Sequence, residues 1–194
     1  HKHFAKGGTA LFIKDELRTI ATKDHVIQSM YVSQIPATFG GKLIYNLENV
    51  LAAVSAAYTL KVPLHIIEKA VYSFYSDAMQ NPGRFNIFNI GGFRIVLDYG
   101  HNVAGYVSVL SSVEKMGATR LVGVIGVPGD RDDNIIREVG KIAGQTFDHI
   151  IIKEDRDTRG RKRGEAAQLL QEGVVSTMNS RDHLDIMYDE LQAV

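Results

Sequence analysis

The first part of the chain shows two successive patterns of hydrophobic positions. Residues 9–33 alternate apolar and polar positions in short runs, which predicts β-strands. The predicted strands are Thr9–Ile13, Thr19–Ala21 and His25–Val32. Apolar positions then recur at helical spacing over Asn46–Leu60, which is rich in alanine, and over Pro63–Phe74, which begins with a proline. Short strands followed by a helical pair are therefore expected.

A polar segment separates this part from the rest of the chain. Ser76–Arg84 contains Asn81-Pro82-Gly83, which is typical of a linker or a domain boundary. We therefore predict one domain over residues 1–80 and a second over residues 81–194.

The second domain alternates nearly apolar strands with amphipathic helices. The predicted strands are Phe93–Tyr99, Arg120–Gly126, Phe147–Lys153 and Leu184–Tyr188, and the predicted helices are Val103–Lys115, Asp132–Gly144 and Gly164–Thr177. Strands of this kind belong to parallel sheets that helices cover on both faces. The pattern predicts an α/β fold with a mainly parallel, doubly wound sheet.

Composition excludes several classes of function. Lys plus Arg total 22 and Asp plus Glu total 22, so the chain has no net field that would attract nucleic acid or an anionic membrane. The absence of cysteine excludes disulfides, thiolate metal sites and cysteine nucleophiles. No apolar run approaches the roughly 20 residues that cross a bilayer, and the first residues lack a signal-peptide pattern. A cytoplasmic setting is compatible with these features.

Ligands of open parallel sheets bind beyond the carboxyl ends of the strands. The segments at such ends are Asp98–Asn102, Gly126–Asp132 and Lys153–Arg163, which we expect to open on one edge of the sheet. Asp98 can accept hydrogen bonds from a ribose diol, and His101 can meet a phosphate or orient a substrate. Alternatively, Asp98 and Asn102 cap the following helix while His101 packs.

The two later segments also allow two interpretations each. Gly126–Asp132 offers backbone amides at a helix start, which suits an anion, but an ordinary strand-to-helix turn has the same composition. Arg159–Arg163 holds four cations in five residues, which favours an acidic ligand, although a charged run is also typical of a solvated loop. No aromatic residue stands among these cations, so they offer no platform for stacking bases.

The motifs of self-sufficient catalytic centres do not occur. The sequence has no Gly-x-x-x-x-Gly-Lys-Ser/Thr phosphate loop, dinucleotide fingerprint, His-Glu-x-x-His metal helix or Gly-x-Ser-x-Gly elbow. We predict neither a complete catalytic centre nor a metal site here. Because the chain begins with His1 rather than methionine, we expect a fragment of a longer parent.

The order of four short motifs resembles Mur ligases and folylpolyglutamate synthetases. They are Asn-x-x-Asn-x-x-Ala-Ala (46–53), Pro-Gly-Arg-Phe (82–85), Asp-Tyr-Gly-His-Asn (98–102) and Gly-Asp-Arg-Asp (129–132). Within that superfamily, Lys-Glu-Asp-x-Asp-Thr-Arg-Gly-Arg-x-Arg-Gly-Glu (153–165) resembles the cyanophycin synthetases. The family motif commonly has Ala before the His and Pro after the Asn, where this chain has Gly100 and Val103.

This resemblance implies a parent with a central ATPase domain and a Rossmann-like C-terminal domain that closes over it. Residues 1–80 would end the first domain and residues 81–194 would form the second. ATP and Mg²⁺ would be bound mainly by the segment upstream. The parent is expected to be a cytoplasmic homo-oligomer.

The resemblance also implies roles for individual residues. Nucleotide binding is expected of Asn46, Asn49, Arg84, Asp98 and His101, with Arg84 reaching the phosphates and Asp98 the ribose. Substrate binding is expected of Asn102, Asp130, Arg131, Arg159, Arg161 and Arg163.

The implied reaction is activation of a carboxylate by ATP to an acyl phosphate, followed by attack of an amine. In cyanophycin synthetases the Mur-like half adds arginine to a poly-aspartate backbone, so the expected ligands are ATP, arginine or aspartate, and an acidic polymer. The fragment alone is expected to be inactive. The alternatives are a noncatalytic module that binds an acidic polymer, and a Mur or folylpolyglutamate-type ligase with another substrate.

Overall fold

The chain divides into two units, His1–Asp98 and Tyr99–Val194, in a computed structural model that describes residues 2–21 and 24–194. The division follows a β-hairpin, whereas the polar segment proposed as a domain boundary precedes that hairpin. The boundary at residue 80 stays a prediction.

The first unit begins with a three-stranded antiparallel sheet. After the short helix α1 (Lys2–Ala5), the strands are β1 (Ala10–Lys14), β2 (Leu17–Ala21) and β3 (Val26–Tyr31), hydrogen-bonded in that order. Ile20 and Ala21 are buried, as expected for strands with one face toward a core. The three strands predicted from alternating polarity are confirmed.

Two helices and a hairpin complete this unit. Helix α2 (Ile44–Thr59) and helix α3 (Leu64–Ser73) match the two predicted helices, and Pro63 stands at the cap position of α3. The hairpin consists of β4 (Asn86–Ile90) and β5 (Phe93–Leu97).

The hairpin corrects one prediction about the sheet. Phe93–Tyr99 was expected to begin the parallel sheet, but β5 pairs antiparallel with β4 in a separate two-stranded sheet. The physical reason is the turn, because Gly91 and Gly92 both have positive φ, at 54° and 88°. That conformation matches the twist of a two-residue hairpin. Asp98 therefore does not follow a strand of the parallel sheet.

The second unit is built around a parallel sheet. Helix α4 (Val103–Glu114) is followed by β6 (Val122–Ile125), α5 (Asp133–Thr146), β7 (His149–Ile152), α6 (Glu165–Val175), β8 (Leu184–Ile186) and α7 (Glu190–Ala193). The strand order is β6-β7-β8, and both pairings are parallel. The predicted α/β alternation is confirmed.

Helices α5 and α6 cover one face of this sheet. In β6, Gly123 and Ile125 are buried, whereas Val122 and Val124 are exposed. Strands that follow one another in sequence order receive their right-handed connections on the same side, so α5 and α6 pack against each other. The core between them and the sheet contains Ile125, Ile136, Val139, Ala143, Ile150, Ile152, Leu170 and Val174.

Candidate functional site

The hairpin of the first unit brings Asp98 next to the loop that carries Arg84. Asn86 pairs with Leu97, which places the preceding residue, Phe85, opposite Asp98. The backbone N–H of Phe85 donates a hydrogen bond to Oδ2 of Asp98 at 2.9 Å. The Phe85 ring is fully buried and contacts Phe39 edge-on at 5.7 Å between centroids, which anchors the loop. Two predicted nucleotide-binding residues thus share one scaffold.

Tyr45 belongs to the same cluster, although no sequence motif singled it out. Its hydroxyl is buried, and burial raises the pKa of the phenol above its ordinary value. The negative charge of Asp98 raises this pKa further, and the positive charge of Arg84 lowers it. The three side chains therefore interact electrostatically, and Tyr45 stays neutral at physiological pH.

Asn46 and Asn49 lie one turn apart on α2, beside this cluster in sequence. Asn46 is buried, and its Nδ2 donates a hydrogen bond to the carbonyl oxygen of Ala37 at 2.7 Å. This bond fixes the orientation of the amide. Asn49 is exposed. The structure thus gives the first asparagine a structural contact and leaves the second accessible.

The residues of this cluster fit the groups of a nucleotide. A carboxylate accepts hydrogen bonds from ribose hydroxyls, and an exposed guanidinium such as that of Arg84 matches phosphate oxygens. Residues 2–21 and 24–194 contain no group of three or more His, Asp or Glu side chains that could hold a metal ion.

In the second unit, His101 and Asn102 have the contacts of a helix start. Oδ1 of Asn102 accepts a hydrogen bond from the backbone N–H of Gly105 at 2.7 Å and so caps α4. The His101 ring lies 5.5 Å from the ring of Tyr99, and its Nδ1 is 3.1 Å from the Tyr99 carbonyl oxygen. These contacts correspond to the structural interpretation of the motif, and ligand binding by the two residues stays a prediction.

The loops that follow β6 and β7 touch each other. We call Gly126–Asp132 the β6 loop and Lys153–Gly164 the β7 loop. An Nη1 of Arg159 donates to Oδ2 of Asp130 at 3.0 Å, which joins the loops by an exposed ion pair. The hydrogen bond from Arg159 holds the pKa of the Asp130 carboxyl below its usual range.

The largely buried side chain of Arg161 connects the same two loops. Its Nε donates to the carbonyl oxygen of Gly129 at 2.6 Å, and its Nη2 donates to the carbonyl oxygen of Arg131 at 2.7 Å. The guanidinium also contacts the carboxylates of Asp133, at 2.6 Å, and Glu165, at 2.8 Å. Only 16% of the side chain is exposed. Arg161 is therefore part of the loop framework.

Arg163 is bonded internally as well. Its Nη1 and Nη2 donate to the carbonyl oxygens of Asp155, at 2.6 Å, and Tyr188, at 2.7 Å. Its Nε lies 3.4 Å from a carboxylate oxygen of Glu154, which is only 5% exposed and also accepts hydrogen bonds from two backbone N–H groups at the start of α6. The buried carboxylate is thus satisfied by a helix start and a cation.

The arginine-rich run is bonded within the second unit, and its binding of an acidic ligand stays a prediction. Arg159, Arg161 and Arg163 each contact a carboxylate of the second unit. Within the ranges that the structure describes, the exposed side chains of Arg156 and Lys162 have neither a hydrogen bond nor an ion pair. The side chains of Arg156 and Lys162 are therefore available to bind a carboxylate ligand. The sequence did not reveal these pairings, because partners such as Asp130, Asp133 and the Tyr188 carbonyl are distant along the chain.

Comparisons with known proteins agree with the motif order. The sequence profile of the Mur ligase, glutamate ligase domain family matches residues 83–192. The chain is 37% identical over 193 residues to the cyanophycin synthetase of Nostoc sp., covering 100% of this chain and 21% of that protein. It is 39% identical over 192 residues to the cyanophycin synthetase of Geminocystis herdmanii, covering 99% of this chain and 22% of that one. The chain thus spans about a fifth of these relatives.

A solved structure shows the same fold. Folylpolyglutamate synthase of Mycobacterium tuberculosis, complexed with ADP and AMPPCP, superimposes with a TM-score of 0.63 at 16% sequence identity, covering 95% of this chain and 38% of that one. No helix in the described part of the chain is long and apolar enough to cross a membrane. With more than half of its residues matched by the family profile, the chain belongs to the Mur ligase family.

Proposed function

We propose that this chain is the nucleotide-closing and substrate-seating part of an ATP-dependent acid–amino-acid ligase. The parent would add arginine to the side-chain carboxylate of a poly-aspartate backbone, as the Mur-like half of cyanophycin synthetase does. The observation that carries the proposal is the 37% identity to cyanophycin synthetase over 100% of the chain. In this proposal residues 1–80 end the central ATPase domain and residues 81–194 form the C-terminal domain.

The cluster in the first unit supports the nucleotide part of the proposal. ATP would supply the phosphoryl group that activates the acid. Asp98 would accept hydrogen bonds from the ribose, and Arg84 would neutralise negative charge on phosphate oxygens. Tyr45, whose pKa is raised by burial and by the charge of Asp98, would stay neutral beside this carboxylate and exchange no proton with it.

The joined loops of the second unit support the substrate part. Asp130, Arg131 and Arg159 lie at their exposed or half-exposed surface, and Arg156 and Lys162 add two uncommitted cations. Carboxylates of an acidic backbone would meet the cations, whereas the guanidinium of an incoming arginine would meet Asp130.

A noncatalytic module that binds acidic polymers is the second candidate. It relied on Arg159, Arg161 and Arg163 as free cations, but Arg161 and Arg163 each donate hydrogen bonds to two backbone carbonyls. The 37% identity to cyanophycin synthetase over 100% of the chain favours the ligase over the module.

The test is a ligase assay on the full-length protein that contains this chain. Phosphate release is followed with arginine, aspartate and a short aspartate–arginine polymer primer, added singly and together. Release that requires both primer and arginine is expected. No release with any combination, from folded protein that still binds ATP, would refute the cyanophycin assignment and direct the search to other Mur-type acids.

A further inference from the structure

We propose that Arg161 is a positioning residue that fastens the β6 loop to the β7 loop, so that the two loops present one preorganised substrate surface. The inference rests on the proposed function for its kinetic consequences. It assigns Arg161 to the support of the surface, whereas the motif resemblance placed it among the residues that contact substrate.

Arg161 makes an unusual number of bonds to the β6 loop and to neighbouring carboxylates. The guanidinium donates to two carbonyl oxygens of the β6 loop, those of Gly129 and Arg131, and contacts the carboxylates of Asp133 and Glu165. All three nitrogens are used, at distances of 2.6 to 2.8 Å. A planar guanidinium can make these divergent bonds at once, whereas a lysine ammonium is a single point of charge.

The backbones of the two loops approach each other closely at Gly129. A Cβ placed on Gly129 would lie 2.2 Å from the carbonyl oxygen of Thr158. Thr158 is itself tied to Arg161, because its Oγ1 donates to the Arg161 carbonyl oxygen at 2.7 Å and the Arg161 N–H donates to the Thr158 carbonyl oxygen at 3.2 Å. The β7 loop therefore forms a closed turn that fits only a glycine on the opposite loop.

Asp130 lies between the two backbone groups that Arg161 binds. Arg161 holds the carbonyl groups of Gly129 and Arg131, so the residue between them, Asp130, has its backbone fixed on both sides. The carboxylate of Asp130 then pairs with Arg159 across the loops. The positions of these exposed substrate candidates thus depend on a side chain that is itself mostly buried.

The first experiment compares variants of the full-length protein in steady-state kinetics. Arg161→Ala should raise KM for primer or arginine by about tenfold or more, because small displacements of positioned groups cost up to about a hundredfold. KM for ATP should change less than about twofold, since the phosphate and ribose candidates lie in the other unit. Arg161→Lys should lie between wild type and alanine. Arg137→Ala removes an exposed ion pair with Glu172 in the same unit and serves as the matched control.

The second experiment separates positioning from direct contact. Asp133→Ala removes one anchor of Arg161 without touching its side chain. If Arg161 acts through the loop, Asp133→Ala causes part of the same KM rise, and adding Arg161→Ala to it costs less than in wild type. Strict additivity of the two substitutions would overturn the proposal.

A third measurement does not depend on ligase activity. Hydrogen exchange of residues 129–133 in the full-length protein without substrate should accelerate in Arg161→Ala and stay unchanged in Arg137→Ala. Unchanged exchange in Arg161→Ala would overturn the positioning role. If the ligase assay shows no activity while hydrogen exchange is accelerated, the proposed reaction is refuted and the role of Arg161 in fastening the two loops is retained.

Discussion

Replacing Gly173 with alanine should destabilise the second unit, because α5 and α6 touch there backbone to backbone. A Cβ on Gly173 would lie 2.1 Å from the carbonyl oxygen of Arg137 and 2.9 Å from Cα of Gly140. Ordinary van der Waals contact of a Cβ begins at 3.4 Å. Since the obstructing atoms belong to a helix backbone, no side-chain rotation relieves the overlap, and the helices have to move apart.

The expected magnitude follows from two opposing effects. Forcing an extra carbon into a packed core costs about 1–3 kcal/mol, and contact with backbone favours the upper end. Alanine in place of glycine in a helix interior gains about 1 kcal/mol. The net loss of stability is then about 2 kcal/mol, which corresponds to roughly a 30-fold increase in the population of the open state.

Native-state hydrogen exchange on the full-length protein measures this loss locally. The amides of β7 between Ile150 and Ile152, in the core under these helices, should exchange roughly 30-fold faster in Gly173→Ala. Gln168→Ala, at an exposed position of the same helix, changes propensity but not packing and should stay within about 0.5 kcal/mol of wild type. Equal protection of β7 in Gly173→Ala and wild type would refute the close contact.

Three further predictions concern the two candidate sites. Gly129→Ala should push the β6 and β7 loops apart and raise KM for primer or arginine in steady-state kinetics, with KM for ATP unchanged. If neither the KM for primer nor the KM for arginine changes, the close contact with Thr158 is contradicted. Arg159→Gln should return the pKa of Asp130 toward 3.8 in an NMR titration, because the hydrogen bond from Arg159 is the main cause of its depression. Since the pKa of Asp130 is lowered in the folded protein, its pairing with Arg159 stabilises the fold above pH 3.8, and this stabilisation is lost as the pH falls through the lower folded value. An unchanged pKa of Asp130 in Arg159→Gln would refute the role of Arg159 in lowering it. Arg84→Ala should reduce ATP-dependent ligation by roughly a hundredfold, as measured by phosphate release, and unchanged turnover would count against its phosphate role.

The parts of the fold that depend on local periodicity were predictable from the sequence. Helices α2 and α3 and the alternation from β6 to β8 were expected within a few residues, because burying one face imposes a regular spacing. Strand β4 was missed, although Gly91-Gly92 between two short runs is a recognisable hairpin signal. This turn signal predicts that β5 pairs with β4 and does not belong to the parallel sheet.

The candidate nucleotide site was predictable only where a motif named its residues. Arg84 and Asp98 came from the motif order, and the hairpin pairing explains why they are close. Tyr45 carried no motif of its own. Its involvement follows from burial next to a carboxylate, a long-range property that neither spacing nor composition encodes.

The charged run shows why composition predicts a ligand surface poorly. Residues 159–163 suggested a concentration of free positive charge, but each of the three arginines contacts a carboxylate, and two of them also bind carbonyl groups. The local field is therefore close to balanced, with Arg156 and Lys162 as its uncommitted cations among the described residues. A strongly basic track would bind any polyanion, whereas a surface with fixed charges of both signs discriminates by pattern. Such a surface suits a polymer that carries both carboxylates and guanidinium groups, the substrate class proposed here.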